Sequence, residues 1–168
     1  MIRSSFCFLL AAVCFGVAID PAAHAQDQVT MYYANAYADH YGVPRALVDA
    51  IIEQESDWNP LAQSVKDAEG LMQLMPATAA MYGVRNRYDI LDNLSGGIRY
   101  LADLLSEFHG DMRLAVAAYY CGSRRVLQRG LSYSNRDVVA YVESVRRRYQ
   151  SDLESQADGN SHGPEGEH

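Results

Sequence analysis

The chain has 168 residues and a formal net charge of −7, but five of its acidic residues lie in Ser151–His168, a segment with no lysine or arginine. Residues 26–150 hold 15 acidic and 13 basic side chains, a near balance that argues against a nucleic-acid binder. Of three cysteines two, Cys7 and Cys14, lie in the first 25 residues, so that Cys121 stands alone in the rest and no disulfide framework is possible within a monomer.

Residues 1–25 read as a signal peptide. Met1–Ser5 carry one positive charge, Phe6–Ala18 are an apolar run, and Ala23-His24-Ala25 has the small-x-small pattern of a cleavage site. This predicts export to the periplasm and a mature chain starting at Gln26, with Cys121 its only thiol. The apolar run is too short for a permanent anchor, and no later segment approaches the ~18 uncharged residues of a membrane span. Residues 26–150 are enough for one domain with a core. The acidic segment 151–168, with Leu153 its only large apolar residue, is expected to be disordered.

Helical periodicity dominates the rest. Val29, Tyr32, Tyr33, Ala36, Tyr37 and His40 form a first stripe that stops at Gly42. A second helix starts at Pro44, which suits a first helical position. Residues 57–70 lack periodicity and read as a long loop, followed by a short helix from Pro76 to Tyr82. Leu94, Ile98, Leu101, Leu105 and Phe108 mark a longer helix ending at His109-Gly110. Asp111 caps the next, whose Ala115 and Ala118 predict a close helix contact. Ser134-Asn135-Arg136-Asp137 reads as a capping box for a last helix with Val138, Tyr141, Val142 and Val145 on one face and Arg146–Arg148 at its negative end. The expected fold class is all-α.

In the second helix Leu47, Val48, Ile51 and Ile52 make one stripe, and its continuation lands on Glu55, while Asp49 and Glu53 point away. A carboxylate on a core-facing stripe is costly unless protonated, paired or hydrogen-bonded. An ion pair to an arginine, a cap on a neighbouring helix and a catalytic acid all satisfy that requirement.

Downstream stand ESDWNPLAQS, GLMQLMPATA, AAYYCG and a late YV. Together these resemble the catalytic domain of the soluble lytic transglycosylase family over about Ala46–Val145. The resemblance implies a lysozyme-like α fold whose cleft takes peptidoglycan glycan strands. It makes Glu55 the catalytic acid/base and places Ser64, Gln73, Met75, Tyr119, Tyr120 and Tyr141 around the scissile bond. It implies no cofactor, and the histidines and single mature cysteine form no metal-ligand pattern. By family analogy the protein is a monomer that opens the wall locally, serving a secretion or conjugation apparatus.

Two departures stand out. Ala118-Tyr119-Tyr120-Cys121-Gly122 replaces the family's Ala-Tyr-Asn-Ala-Gly, and Asp67 takes a place where glycine is common. The resemblance also implies a mechanism. Protonated Glu55 donates to the leaving glycosidic oxygen, the N-acetyl group of the muramic acid attacks C1, and ionised Glu55 then deprotonates the C6 hydroxyl, closing a 1,6-anhydro ring. An apolar setting fits both proton transfers. The rival readings are a lysozyme-type hydrolase using Asp57 or Asp67 as second carboxylate, and a non-catalytic peptidoglycan-binding module.

Overall fold

A computed structural model describes residues 21–130 and 135–160. Within them lie α1 (Pro21–Tyr41), α2 (Arg45–Ser56), α3 (Pro76–Met81), α4 (Ile90–Glu107), α5 (Met112–Cys121), α6 (Ser123–Arg129) and α7 (Arg136–Asn160). The expected all-α class holds, with only two isolated antiparallel bridges, Gln63 with Glu69 and Glu69 with Leu74, among the described residues. Most of the signal segment 1–25 lies outside the described residues, and α1 runs through the predicted cleavage site.

Helix α2 is the central element, packed chiefly on α7 and also on α1. Leu47, Val48, Ile51 and Ile52 are all buried, and each large side chain removed from water contributes about 1.5–3 kcal/mol. The α2 stripe is therefore the core-facing stripe that its spacing predicted. On α4 the expected Leu94, Ile98 and Leu101 are likewise buried, as is Phe108 just past its end, whereas the expected Leu105 is only partly buried and Leu104 is buried beside it. Asp111 accepts from the backbone N–H of Arg113 and Leu114, capping α5 as expected.

The face assigned to α1 needs correcting. Val29 and Tyr32 are exposed, and the buried line is Thr30, Ala34 and Ala38. Small side chains at a spacing of four let α1 approach α2 and α4 closely, while Tyr33, Tyr37 and Tyr41 cover the edges of the contact.

Three further differences concern the C-terminal half. Gly122, at φ 88°, breaks the chain between α5 and an unforeseen α6. At the start of α7, Asn135 is the residue whose side chain accepts from the Asp137 N–H; Ser134 lies outside the described residues. Helix α7 continues to Asn160, so residues 151–160 of the expected disordered tail are helical, and 161–168 lie outside the described residues. Arg146, Arg147 and Arg148 consequently sit mid-helix, with Arg148 3.1 Å from Glu53 on α2. A docked helix propagates through residues that would not nucleate one.

Residues 57–75 form the loop that walls the site, and α4 supports it. Asn93, 1% exposed, accepts from the Met72 N–H at 2.8 Å and donates to the carbonyls of Glu69 (3.0 Å) and Arg87 (2.7 Å). Beside it, Gly97 faces Met72 so closely that a Cβ there would stand 2.4 Å from the sulfur, and a Cβ on Gly96 would stand 2.2 Å from a Val84 methyl. Gly70 has φ 79° and a backbone neighbour, the Arg87 carbonyl, 2.1 Å from where a Cβ would lie. It needs glycine for conformation and for space.

Candidate active site

The last turn of α2 carries Glu55 out of the core into a cleft of about 390 Å³. Ser64, Gln73, Met75, Tyr119 and Tyr120 line the same cleft. Tyr141, buried on α7, does not line this cleft but donates its hydroxyl to Glu55 Oε1. The structure thus gathers six of the sequence-derived residues in one cleft, with Tyr141 bonded to the carboxyl.

Burial raises the Glu55 carboxyl from 4.5 to about 7, with the Tyr141 hydroxyl pulling the other way. Desolvation therefore outweighs the hydrogen bond, and the acid form is present near neutrality. Among the described residues Glu55 has no ion pair with an arginine, an arrangement that the stripe left open; Glu53 lies beside Arg148 instead. Those two are close but not aligned as a hydrogen bond, since Arg148 Nε has no hydrogen-bond partner.

Several cleft residues spend their polar atoms on architecture. Gln73, at φ 46°, donates its amide to the carbonyls of Ala62 (3.0 Å) and Gly70 (2.9 Å). Ser64 Oγ accepts from the Ala68 N–H at 3.0 Å. Tyr119 donates to the Met72 carbonyl at 2.8 Å, and its ring packs on Tyr100, 5.1 Å between centroids. Ser56, next to Glu55, donates to the Leu71 carbonyl at 2.8 Å. The GLMQ segment is thereby tied to α2, α4 and α5 at once.

Asp67 occupies the left-handed region at φ 66°, as a residue in a glycine's place must. Arg87 holds this turn, donating to the carbonyls of Asp67 and Leu74 and lying 3.0 Å from Glu69 and 3.4 Å from the Asp67 carboxylate. Neither Asp57 nor Asp67 lines the cleft. Cys121 does line it, only partly buried, at the last position of α5. The close helix contact predicted for this helix is made before that thiol, by the buried Ala115, Ala117 and Ala118.

Sequence reasoning missed Asn93, Arg87, Lys66, Arg125, Asn135 and Asp137, of which the last four line the cleft. Asn93 had a signal, since it is a polar residue next to Leu94 at the head of the α4 stripe. The other five lie in loops or at helix starts, where periodicity is silent.

A family model, the transglycosylase SLT domain, matches residues 32–141. The chain belongs to that family. Among SLT-domain relatives, the soluble lytic murein transglycosylase of Escherichia coli (strain K12) is 32% identical over 136 residues, 73% of this chain and 21% of that protein. The transglycosylase of Enterobacteria phage PRD1 is 40% identical over 90 residues, 54% of this chain and 34% of that protein. An inactive mutant of the lytic transglycosylase Slt from Pseudomonas aeruginosa superimposes with a TM-score of 0.62 at 28% identity, covering 80% of this chain and 25% of that one. The chain therefore spans about a fifth to a third of the length of these SLT-domain relatives.

Proposed function

We propose that this protein is a peptidoglycan lytic transglycosylase, cleaving the β-1,4 bond after N-acetylmuramic acid and leaving 1,6-anhydro ends. The observation that carries the reading is Glu55: a carboxyl held near pH 7 by burial, on the wall of a cleft, with Tyr141 bonded to one oxygen. A group of that affinity gives up its proton and takes one back at comparable cost, as a single acid/base residue must. The leaving oxygen takes the Glu55 proton while the substrate's own N-acetyl carbonyl bonds to C1. Glu55 then accepts the proton of the C6 hydroxyl, whose oxygen displaces the acetamido oxygen. Ser64, Gln73, Met75, Tyr119 and Tyr120 are proposed to hold the sugars flanking the bond.

Lysozyme-type hydrolysis remains the competing reading, and one observation bears on it. Asp57 and Asp67 do not line the cleft, whereas Asp137 does; hydrolysis would use Asp137 to activate water. Purified sacculi digested by the protein separate the two. Anhydro ends support the proposal, reducing ends support hydrolysis, and binding without cleavage supports a non-catalytic module. Glu55→Gln is run in parallel as the inactive control. Action as a monomer in the periplasm, opening the wall for a secretion or conjugation apparatus, belongs to the same proposal; normal assembly of that apparatus in a deletion strain would remove the last part.

A further inference from the structure

Residues 61–67 bury no large apolar side chain, since Leu61 and Val65 are both exposed. Yet this stretch and Ala68 after it bring Ser64, Lys66 and Ala68 to the cleft, and the next turn of the same loop brings Gln73 and Met75. What burial does not hold, polar ties must hold. One side chain grips both parts of the loop. Arg87 Nε lies 3.0 Å from the Glu69 carboxylate, Nη1 donates to the carbonyls of Asp67 and Leu74, and Nη2 lies 3.4 Å from the Asp67 carboxylate. Each partner stands next to a cleft-lining residue: Asp67 between Lys66 and Ala68, Glu69 after Ala68, and Leu74 between Gln73 and Met75. Arg87 itself does not line the cleft. Its backbone is tied to α4, because Asn93 donates to the Arg87 carbonyl at 2.7 Å. The guanidinium therefore reaches from a fixed helix to the back of a wall whose front is the cleft.

Asp67 shows why such a clamp is needed in this chain. At φ 66° a residue with a side chain is strained where glycine is not. The same residue brings a carboxylate for Arg87 to hold, so the strained turn and its restraint come as a pair. Without the guanidinium, Asp67 and Glu69 would be neighbouring carboxylates deprived of their shared cation, in a turn that Asp67 strains. A lysine does not replace it: one ammonium on a flexible stem cannot span two carboxylates and two carbonyls as a planar fork does.

We propose that Arg87, paired with Asp67, is a positioning residue of the active site: it holds the loop wall in place and so sets how tightly the cleft takes the glycan, with no part in proton transfer. The inference rests on the transglycosylase reading and deepens it, because it assigns substrate affinity to a side chain outside the cleft. Chemistry and affinity are thereby divided between two parts of the fold. The Glu55 carboxyl takes its shift from burial and from Tyr141, not from Arg87.

The test measures KM and kcat for anhydro-end release from purified glycan strands by the wild-type chain, Arg87→Ala and Arg87→Lys, each well below its own melting temperature. Arg87→Ala is expected to raise KM about tenfold while kcat falls less than about threefold, and Arg87→Lys to recover little of that loss. The basic limb of the pH–rate profile should stay where it is in wild type. A lower melting temperature with KM unchanged makes Arg87 a stabilising residue only and overturns the proposal, as does a displaced limb. Asp67 supplies a second measurement. Arg87→Ala is repeated in an Asp67→Gly chain, where the strain and one of the two stranded charges are gone, and the rise in KM should shrink there to about threefold. A rise of equal size in both chains overturns the pairing. Binding of the same strands to Glu55→Gln and to Glu55→Gln/Arg87→Ala needs no product and keeps the failures apart. Equal affinities, with anhydro ends formed by wild type, overturn the positioning role alone; no anhydro ends from wild type removes the transglycosylase reading and the reaction that Arg87 would serve.

Discussion

The ring of Tyr120 lies 4.6 Å from that of Tyr141, 27° from parallel, and Tyr141 in turn holds Glu55. The residue that stands where the family resemblance expects asparagine is therefore part of the support of the carboxyl. The Tyr141 hydroxyl lowers the proton affinity of Glu55, so Tyr141→Phe should move the basic limb of the pH–rate profile to higher pH. Tyr120→Phe keeps the stack and should leave that limb in place. Tyr120→Asn should displace it in the Tyr141→Phe direction by a smaller amount and lower turnover. An unmoved limb in both Tyr141→Phe and Tyr120→Asn would detach the stack from Glu55.

Glu55 also sets a pH dependence of stability. The unfolded chain releases this proton near 4.5 and the native chain near 7, so between those values the native state holds more protons. Stability therefore falls as pH rises through that window and levels off above it. Glu55→Gln removes the burden: denaturant unfolding should find it about 2–3 kcal/mol more stable than wild type near pH 8, similar near pH 4, and inactive at both. Glu53→Gln, which breaks only a partly exposed pair with Arg148, should keep cleavage and cost at most about 1 kcal/mol.

A second carboxyl behaves the same way, with a like charge added to burial. Burial and then the Asp152 carboxylate on α7 raise Asp49 from 3.8 to about 6, against the pull of Arg45. Asp152 is itself raised, by burial and then by Glu53. Asp49→Asn should stabilise the protein above about pH 6, by about 1 kcal/mol once solvent screening is allowed for. Asp152→Asn should lower the Asp49 midpoint, which a carboxyl-resolved NMR titration reads directly. An unchanged midpoint would mean that the end of α7 does not dock on α2 in solution.

Tyr119→Phe removes the hydrogen bond to the Met72 carbonyl. The expected cost is about 0.5–1.5 kcal/mol, together with a larger fall in turnover than Tyr120→Phe produces, because the GLMQ segment loses its tie to α5. Thermal melts and initial rates on sacculi, taken on the same preparations, check both.

Cys121 should label slowly near neutral pH, since burial raises its thiol despite Arg125 nearby. Because it lines the cleft, a bulky thiol reagent that does react should inhibit cleavage. Labelling that leaves activity intact would put the thiol outside the substrate path.

What the sequence discloses depends on how a residue does its work. Glu55 is legible because a carboxylate interrupts a stripe of Leu47, Val48, Ile51 and Ile52, and packing against a core enforces that period. Thr30, Ala34 and Ala38 are illegible by the same logic, since they act by being small, while the large Tyr32 beside them faces water. The helix beyond Gln150 is hidden because composition registers its charges and not the docked helix that carries it. Arg87 and Asn93 act on backbone carbonyls, and a carbonyl leaves no trace in the identity of its residue.

Gly97 has a bearing on how the cleft could be reshaped. Its missing side chain is what lets Met72 rest on α4, and Met72 carries the carbonyl that Tyr119 grips. A methyl group added at Gly97 would work like a shim under a machine bed, pushing Met72 and the GLMQ segment away from α4. Cleft width is then adjustable from a helix none of whose residues lines the cleft, while every cleft-lining side chain keeps its identity.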